Sequence, residues 1–381
     1  MSKSNQDTWI ARLVDAALPV FATIAALLVG AVMLLLLKVN PIEAYGALWE
    51  GAFGSRNALA ETLVKATPLL LVGLGICISF RGDVINIGGE GQMIVGAILG
   101  TLVGVTLVDW PGWAVVPIAI LAGFVGGAIW GGIPGVLKAY FRVNEILSTV
   151  MMNAIAVQLM NFLLRGPMID PAQAELASKI PQTARLAENF RLPRWIPTRL
   201  HLGALIAVVL AILVYILLWR TTWGYRIRSV GQNPDASAYA GVKVKNYVVL
   251  ALVLSGAFAG LAGVMQVYGV NYRMITDGSA SGFTGSAGFN GIVAALFGQL
   301  HPIGTIPASV LFGALLVGAN KMQRVVQVPS ALVIALNGLV VVFVVSSEIW
   351  RRRRQRRRQT ASGPEENGPG DQELESGEVT A

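Results

Sequence analysis

Two glycine-rich segments carry polar side chains within an otherwise apolar chain. The first covers residues 83–92 and the second covers 277–291. The amides of Asn86, Gln92 and Asn290 can both donate and accept hydrogen bonds, which suits brief contacts with a neutral polar solute. Such backbone is tolerated inside a membrane only where protein or a water-filled cavity surrounds it. We therefore predict a solute path bordered by Asn86, Glu90, Gln92, Phe283 and Asn290.

Glu90 lies within the first segment and can be interpreted in two ways. At the middle of a bilayer a charged side chain costs roughly 2.5 to 3.5 kcal/mol, so a buried Glu90 would need a partner or water. In a tight turn at the membrane edge, it would instead lie at a helix N-terminus, where the helix dipole stabilises its charge. The sequence leaves both positions open.

Few residues of the chain suit catalysis or metal binding. Its one cysteine, Cys77, lies inside an apolar run, and its two histidines, His201 and His301, lie at the edges of different runs. No phosphate-binding loop, zinc-protease motif or nucleophile elbow occurs. We therefore predict no catalytic residue, no metal and no cofactor, and ATP hydrolysis would require another chain.

Residues 220–245 form a basic loop with the signals of a short helix. Asn233 is a suitable N-cap, Pro234 suits the first helical position, and the helix is expected to end near Gly241. It would carry Tyr239 near its end. Such a helix suits the docking of a soluble partner, and an ordinary solvated loop is the alternative.

The elements that must position these residues are membrane-spanning helices. Hydrophobic residues make up 54% of the chain and charged residues 13%, which does not describe a soluble surface. The uncharged runs cover 16–37, 66–80, 91–108, 110–137, 146–164, 200–219, 246–272, 278–320 and 325–347. A span needs about 20 apolar residues, so the 278–320 run should fold back near Gln299 to Pro302.

The predicted fold is an all-α polytopic membrane helix bundle of about ten transmembrane helices. Each glycine-rich segment precedes a short apolar span, which is typical of paired broken helices around a central path. Two inverted five-helix halves would explain this likeness, and biased composition is the other explanation.

The distribution of charge predicts orientation and domain limits. Seven arginines between 351 and 358 follow the last span, which favours a cytoplasmic C-terminus and, with an even number of spans, a cytoplasmic N-terminus. The net charge of +8 is spread among loops and beside the membrane, so it favours anionic lipid over nucleic acid. The expected domains are a cytoplasmic segment (1–15), a transmembrane permease domain (16–350) and a basic, then acidic, disordered cytoplasmic tail (351–381).

Four motifs occur in an order that resembles one family of transporters. They are NIGGEGQ at 86–92, RVNEILST at 142–149, VGQNPDA at 230–236 with YAGV at 239–242, and GFNGI at 288–292 with LHPIG at 300–304. Together they resemble the branched-chain amino acid and simple-sugar ABC permease superfamily, and within it the nucleoside-uptake permeases. The resemblance covers about 15–350 and leaves out both tails.

This resemblance implies a permease subunit of the cell inner membrane that imports a nucleoside. It implies a second permease chain, cytoplasmic ATP-binding subunits, and an extracytoplasmic substrate-binding lipoprotein facing residues 165–201. The loop at 220–245 would couple transport to the ATPase through Gly231, Asn233, Pro234, Asp235, Tyr239, Ala240 and Gly241. A ribose-type sugar permease is the alternative within the superfamily.

Two other classes of protein remain as alternatives to an ABC permease. An ion-coupled secondary transporter would share the spans and the broken segments, and would need a buried carboxylate, for which Glu90 is the candidate. A membrane enzyme would need a cluster of histidine or acidic residues, and the sequence offers none.

Overall fold

The computed structural model describes residues 21, 24–194, 197–329, 335, 338, 339, 342, 343 and 346. Within them the regular secondary structure is helical, and β-pairing is limited to two isolated bridges. The predicted all-α fold is therefore confirmed. The predicted terminal segments 1–15 and 351–381 lie outside the described residues.

The helices are numbered in chain order. They are α1 (Ile24–Leu36), α2 (Pro41–Phe53), α3 (Arg56–Arg81), α4 (Gly89–Thr106), α5 (Gly112–Phe141), α6 (Glu145–Arg165), α7 (Pro171–Ala174), α8 (Gly203–Arg220), α9 (Thr222–Gln232), α10 (Pro234–Tyr239), α11 (Val244–Met265), α12 (Ala280–Thr284), α13 (Ala287–Phe297) and α14 (Pro302–Val325). A π-helical stretch, Gln266–Asn271, extends α11, and Glu188–Phe190 forms a 3-10 turn. Seven helices are long and apolar enough to cross a membrane: α3, α4, α5, α6, α8, extended α11 and α14.

The predicted count of about ten spans is not confirmed, because the described residues contain seven such helices. The shorter α1 lies in the run 16–37 and the shorter α13 in the first part of the run 278–320, and most of the last run, 325–347, lies outside the described residues. The 278–320 run folds back where expected, at the turn 298–301 between α13 and α14. Gln299 and Leu300 have φ angles of 59° and 53° there, which reverse the chain direction.

α3 begins well before the predicted run 66–80. Ser55 caps it by accepting a hydrogen bond from the backbone N–H of Ala58 at 3.1 Å. Glu61, one turn further on, forms an ion pair with Arg199 at 3.0 Å. α3 therefore includes the charged residues that precede the apolar run, because a local cap and a distant ion-pair partner stabilise this first part of the helix.

α3, α4 and α11 form the centre of the bundle, whereas α5, α6 and α8 bury only a minority of their residues. Glycines allow close contact between α4, α5 and α11. A methyl group at Gly260 would overlap backbone atoms of Gly123 and Gly127, and one at Gly96 would overlap Gly260. Small residues of this kind let membrane helices pack backbone to backbone. This packing fixes α4 against α11.

The two ends of the bundle carry different structures. At the lower end, where α3 ends, Gly231 of α9 packs on the backbone of Arg81. At the same end Lys138 of α5 forms an ion pair with Glu145 at the start of α6. The upper end carries residues 166–202, which we call the upper loop. The first glycine-rich segment, between α3 and α4, therefore enters the bundle from the lower end.

Candidate solute path and coupling region

The segment before α4 is held by a closed network of buried amides. Asn86 Nδ2 donates to Gln92 Oε1 at 2.9 Å and to Ser255 Oγ of α11 at 2.8 Å. Asn86 Oδ1 accepts from Gln92 Nε2 at 3.1 Å and from the backbone N–H of Gly88 at 2.8 Å. Both amide side chains are buried. In this conformation these two predicted path residues therefore hold the backbone in front of α4.

α6 holds the same segment from the other side. Asn153 Oδ1 accepts from the backbone N–H of Gly91 at 2.8 Å, and its Nδ2 donates to the carbonyl of Ile87 at 2.9 Å. Thr149 Oγ1 accepts from the backbone N–H of Ile87 at 3.4 Å. Sequence reasoning missed Asn153 and Thr149. The available signal was a polar side chain within an apolar helix, since such a group needs a partner when buried.

The first turns of α4 and α13 meet at Glu90. Its side chain is buried, and Oε1 accepts a hydrogen bond from the backbone N–H of Phe289 at 3.2 Å. Within the described residues Oε2 has no hydrogen-bond partner. A methyl group at Gly288 would overlap the backbone nitrogen of Glu90, so the two helix starts are in contact. Glu90 is thus both buried and at a helix N-terminus, where two helix dipoles favour its negative charge.

The second glycine-rich segment is more open than the first. Phe283 in α12 is buried in the core, whereas Ser281 beside it is exposed. In α13 Phe289 is 48% exposed and Asn290 is partly exposed. Of the five predicted path residues, Asn290 is therefore the one with accessible surface, while the other four are buried.

Arg81 connects the end of α3 to the turn between α13 and α14. Its Nε donates to the carbonyl of Leu300 at 3.2 Å, and its guanidinium lies 5.3 Å from the ring centre of Trp219. Arg228 of α9 lies over the same ring at 5.5 Å, and the ring of His301 is 5.0 Å away. Burial, with a smaller contribution from the charge of Arg81, lowers the pKa of His301. The start of α14 is thereby linked to α9 through aromatic and guanidinium contacts.

The short helix expected after Asn233 forms as α10. Asn233 Oδ1 accepts a hydrogen bond from the backbone N–H of Ala236 at 2.9 Å, and Gly241 follows the helix with a φ of 79°. Tyr239 is 95% exposed, which is unusual for an aromatic side chain. The residues before Asn233 differ from the predicted loop, because Thr221 caps them as α9.

The predicted coupling residues share one surface at the lower end. Six of the seven are exposed: Asn233, Pro234, Asp235, Tyr239, Ala240 and Gly241. A cleft of about 670 Å³ lies beside them and is lined in part by Arg226, Ser229, Lys243 and Tyr247. Gly231, the seventh, contacts the end of α3 instead, so it joins this surface to the bundle.

The upper loop places a cluster of arginines around Tyr272. The guanidinium carbons of Arg185, Arg191 and Arg194 lie 5.9, 4.8 and 5.9 Å from its ring centre. Arg194 also donates to the hydroxyl of Tyr272 at 2.9 Å. Burial, and to a lesser extent the charge of Arg194, lowers the pKa of His201 to about 4, so this imidazole stays neutral near pH 7. The cluster makes this part of the upper end positively charged.

The bundle is apolar, two helix starts meet in its interior, and an exposed helix lies at one end. This arrangement is typical of a membrane transport permease. The sequence profile of the family described as branched-chain amino acid transport system, permease component, matches residues 58–345. The chain therefore belongs to this family, and the predicted superfamily is confirmed.

Curated relatives agree with this assignment. The chain is 36% identical to the guanosine ABC transporter permease protein NupP of Bacillus subtilis, over 89% of this chain and 95% of that protein. It is 35% identical to the glucose ABC transporter permease protein TsgB13 of Haloferax volcanii, over 88% of each. It is 31% identical to the nucleoside ABC transporter permease protein NupB of Lactococcus lactis, over 80% of this chain and 84% of that protein.

Proposed function

We propose that this chain is the membrane subunit of an ABC importer that moves a nucleoside between its two glycine-rich segments, 83–92 and 281–291. The observation that carries the proposal is the meeting of α4 and α13 at Glu90, with the partly exposed Asn290 directly after Phe289 in α13. Paired helix breaks of this kind mark the central site of many transporters. A nucleoside presents hydroxyls and base edges, and an amide can donate to or accept from either.

The choice of a nucleoside rests on the resemblance of the motifs and on the names of relatives. A guanosine permease and a nucleoside permease are among them, but the glucose permease is almost as similar as the guanosine permease. A simple sugar is therefore the second candidate. Uptake of labelled guanosine by the assembled importer should be competed by unlabelled nucleosides and not by glucose or ribose. The reverse pattern would assign the chain to sugar transport.

The ion-coupled alternative receives less support. The relatives named above are ABC transporter permeases, and the Glu90 carboxylate already accepts a hydrogen bond from the start of α13. A role in linking two helices accounts for a buried carboxylate without an ion path. Among the described residues, no group of three or more His, Cys, Asp or Glu side chains could hold a metal ion.

We propose that cytoplasmic ATP-binding subunits dock on α10 and the adjacent cleft. The exposure of Tyr239 and the basic side chains Arg226 and Lys243 support this, since an aromatic side chain at the centre of an interface is a common anchor. Contacts of Gly231 with Arg81, and of Arg81 with the turn at 298–301, provide a route from this surface to α13. Movement of α10 would reach the second glycine-rich segment in this way.

We propose that the upper end faces the substrate-binding lipoprotein and that both termini are cytoplasmic. The positive cluster around Tyr272 supports docking of a partner with acidic residues. A second permease chain would complete the membrane part of the complex. Single cysteines at Ser362 and Ser178, in a Cys77→Ala background, should react with an impermeant thiol reagent from opposite sides of the membrane. Labelling from the same side would reject this orientation and the ten-span arrangement.

A further inference from the structure

α6 has two faces with different surroundings. One packs on α4 and includes Asn153, Ala156 and Met160, which are buried. The opposite face is exposed and carries Met151 and Phe162, of which 55% and 67% is accessible. Because α6 is long and apolar enough to cross a membrane, its exposed face must meet lipid, protein or water within the bilayer.

Gln158 lies in this exposed face and is itself exposed. It is seven residues before Arg165, the end of α6, which places it about 10 Å inside the upper end of the helix. Within the described residues its side chain has no hydrogen-bond partner. An unpaired amide facing hydrocarbon loses its hydrogen bonds to water without replacement, so lipid alone is an unfavourable neighbour.

An open cleft lies next to Gln158. It has a volume of about 570 Å³ and is lined by Gln158, Asn161, Phe162, Arg165 and Gly166. Gln158 and Asn161 contribute amides to this cleft within α6, and Arg165 contributes a charge at the upper end of the helix. The cleft is therefore suited to water and to a polar solute.

Asn161 connects this cleft to the second glycine-rich segment. Its Oδ1 accepts from the hydroxyl of Thr276 at 2.8 Å, and its Nδ2 donates to the carbonyl of Gly278 at 3.3 Å. The hydroxyls of the partly exposed Ser279 and the exposed Ser281 follow directly, 3.2 Å apart. Polar groups thus connect the upper part of α6 to the start of α12.

We propose that the cleft at Gln158 is the upper section of the solute path, where the Gln158 amide hydrogen-bonds the hydroxyls or base edge of a neutral solute before it reaches Asn290. This inference rests on the proposed function, because it extends the path assigned there. It gives α6 a role that the sequence motifs did not indicate.

The first test measures whether water reaches Gln158 within the membrane. In the assembled importer with Cys77→Ala, Gln158→Cys is compared with Leu121→Cys, which lies on an exposed apolar face of α5 with Ile118 and Val125. A charged methanethiosulfonate reagent added from the upper side should modify Gln158→Cys about tenfold faster, because a charged reagent stays in water. Equal, slow reaction at both positions would overturn the proposal.

The same cysteine tests whether a second permease chain covers this face instead. If oxidation of Gln158→Cys yields a disulfide with a cysteine placed in the partner permease, and reagent access is lost, the face is a subunit seam and the proposal is wrong. Free access without cross-linking supports a path. Labelling reports water whatever the solute is, so an importer that failed to take up nucleosides would refute the proposed substrate and leave this result unchanged.

Measurements of the uptake rate distinguish a residue that contacts the solute from one that is only accessible to water. Gln158→Leu should lower the maximal uptake rate about threefold through loss of one hydrogen bond, and Gln158→Asn should restore part of it. The thermal stability of both variants should equal that of the wild-type protein, because the side chain is exposed. Wild-type uptake by Gln158→Leu would show that the amide makes no contact with the solute.

Discussion

The two glycine-rich segments differ in how their polar groups are satisfied. In the first, Asn86 bonds to Gln92 and to Ser255, and Asn153 binds the backbone. In the second, Asn290 retains accessible surface. A polar group whose hydrogen bonds are made within the protein gains little from a solute, whereas an accessible amide exchanges hydrogen bonds with water and solute. We infer that the first segment, 83–92, supports the path structurally, and we call it the frame. The second segment, 277–291, would contact the solute, and we call it the working surface.

The largest expected effect tests the frame. Asn86→Leu would leave the backbone N–H of Gly88 and the side chains of Gln92 and Ser255 without their partner, at a cost of about 1 to 3 kcal/mol for each group left unsatisfied. We expect a marked fall in the melting temperature of the purified protein and a loss of folded material. The same exchange at the open segment, Asn290→Leu, is the matched control. Equal melting temperatures would remove the distinction between the two segments.

The second effect tests whether docking of the ATP-binding subunits on α10, at the lower end, is coupled to transport at the working surface. Replacing Tyr239 and Ala240 by glutamate should reduce uptake by at least about tenfold. The aromatic side chain that the docked ATP-binding subunit would bury is then replaced by a charged one. ATP hydrolysis by the complex should no longer respond to substrate, while the melting temperature stays at the wild-type value. Tyr239→Phe keeps the aromatic ring and should transport normally. Normal uptake by the glutamate variant would remove α10 from the coupling route.

The third effect concerns the contact between the two segments. Glu90→Gln keeps an oxygen that can accept from Phe289 but removes the charge that both helix dipoles favour, a change of about 1 kcal/mol. We expect a maximal uptake rate reduced about fivefold with near-normal expression. Glu43→Gln, in the exposed first turn of α2, is the control and should have no effect. Similar rates for the two variants would show that the Glu90 charge does not link α4 to α13.

The smallest effect tests the working surface itself. Asn290→Leu should lower the maximal uptake rate about threefold, because one exchangeable hydrogen bond is lost. Its stability should stay within about 0.5 kcal/mol of the wild-type value, as is usual for accessible positions. Asn290→Gln should transport at an intermediate rate. If Asn290→Leu transports at the wild-type rate, the solute does not touch this side chain, and the path must follow another face.

The sequence predicted the features that depend on neighbouring residues. The cap and end of α10 follow from the local preferences of Asn233, Pro234 and Gly241, and the reversal at 298–301 follows from a run too long for one span. Both are confirmed. Helix caps and spans are encoded within a few residues or one apolar run, so a single sequence is enough to locate them.

The sequence predicted the same role for the amides of both segments, because composition does not reveal the hydrogen-bond partner of a side chain. Only the tertiary structure separates them. Asn86 meets Ser255, 169 residues away, because glycine contacts bring α4 and α11 together, and Asn153 reaches the same segment because one face of α6 packs on α4. A side chain's hydrogen bonds depend on which helices are neighbours, and long-range packing decides that. The sequence therefore determined where the polar breaks lie, and the fold decided which of them is closed by protein and which is left accessible to a solute.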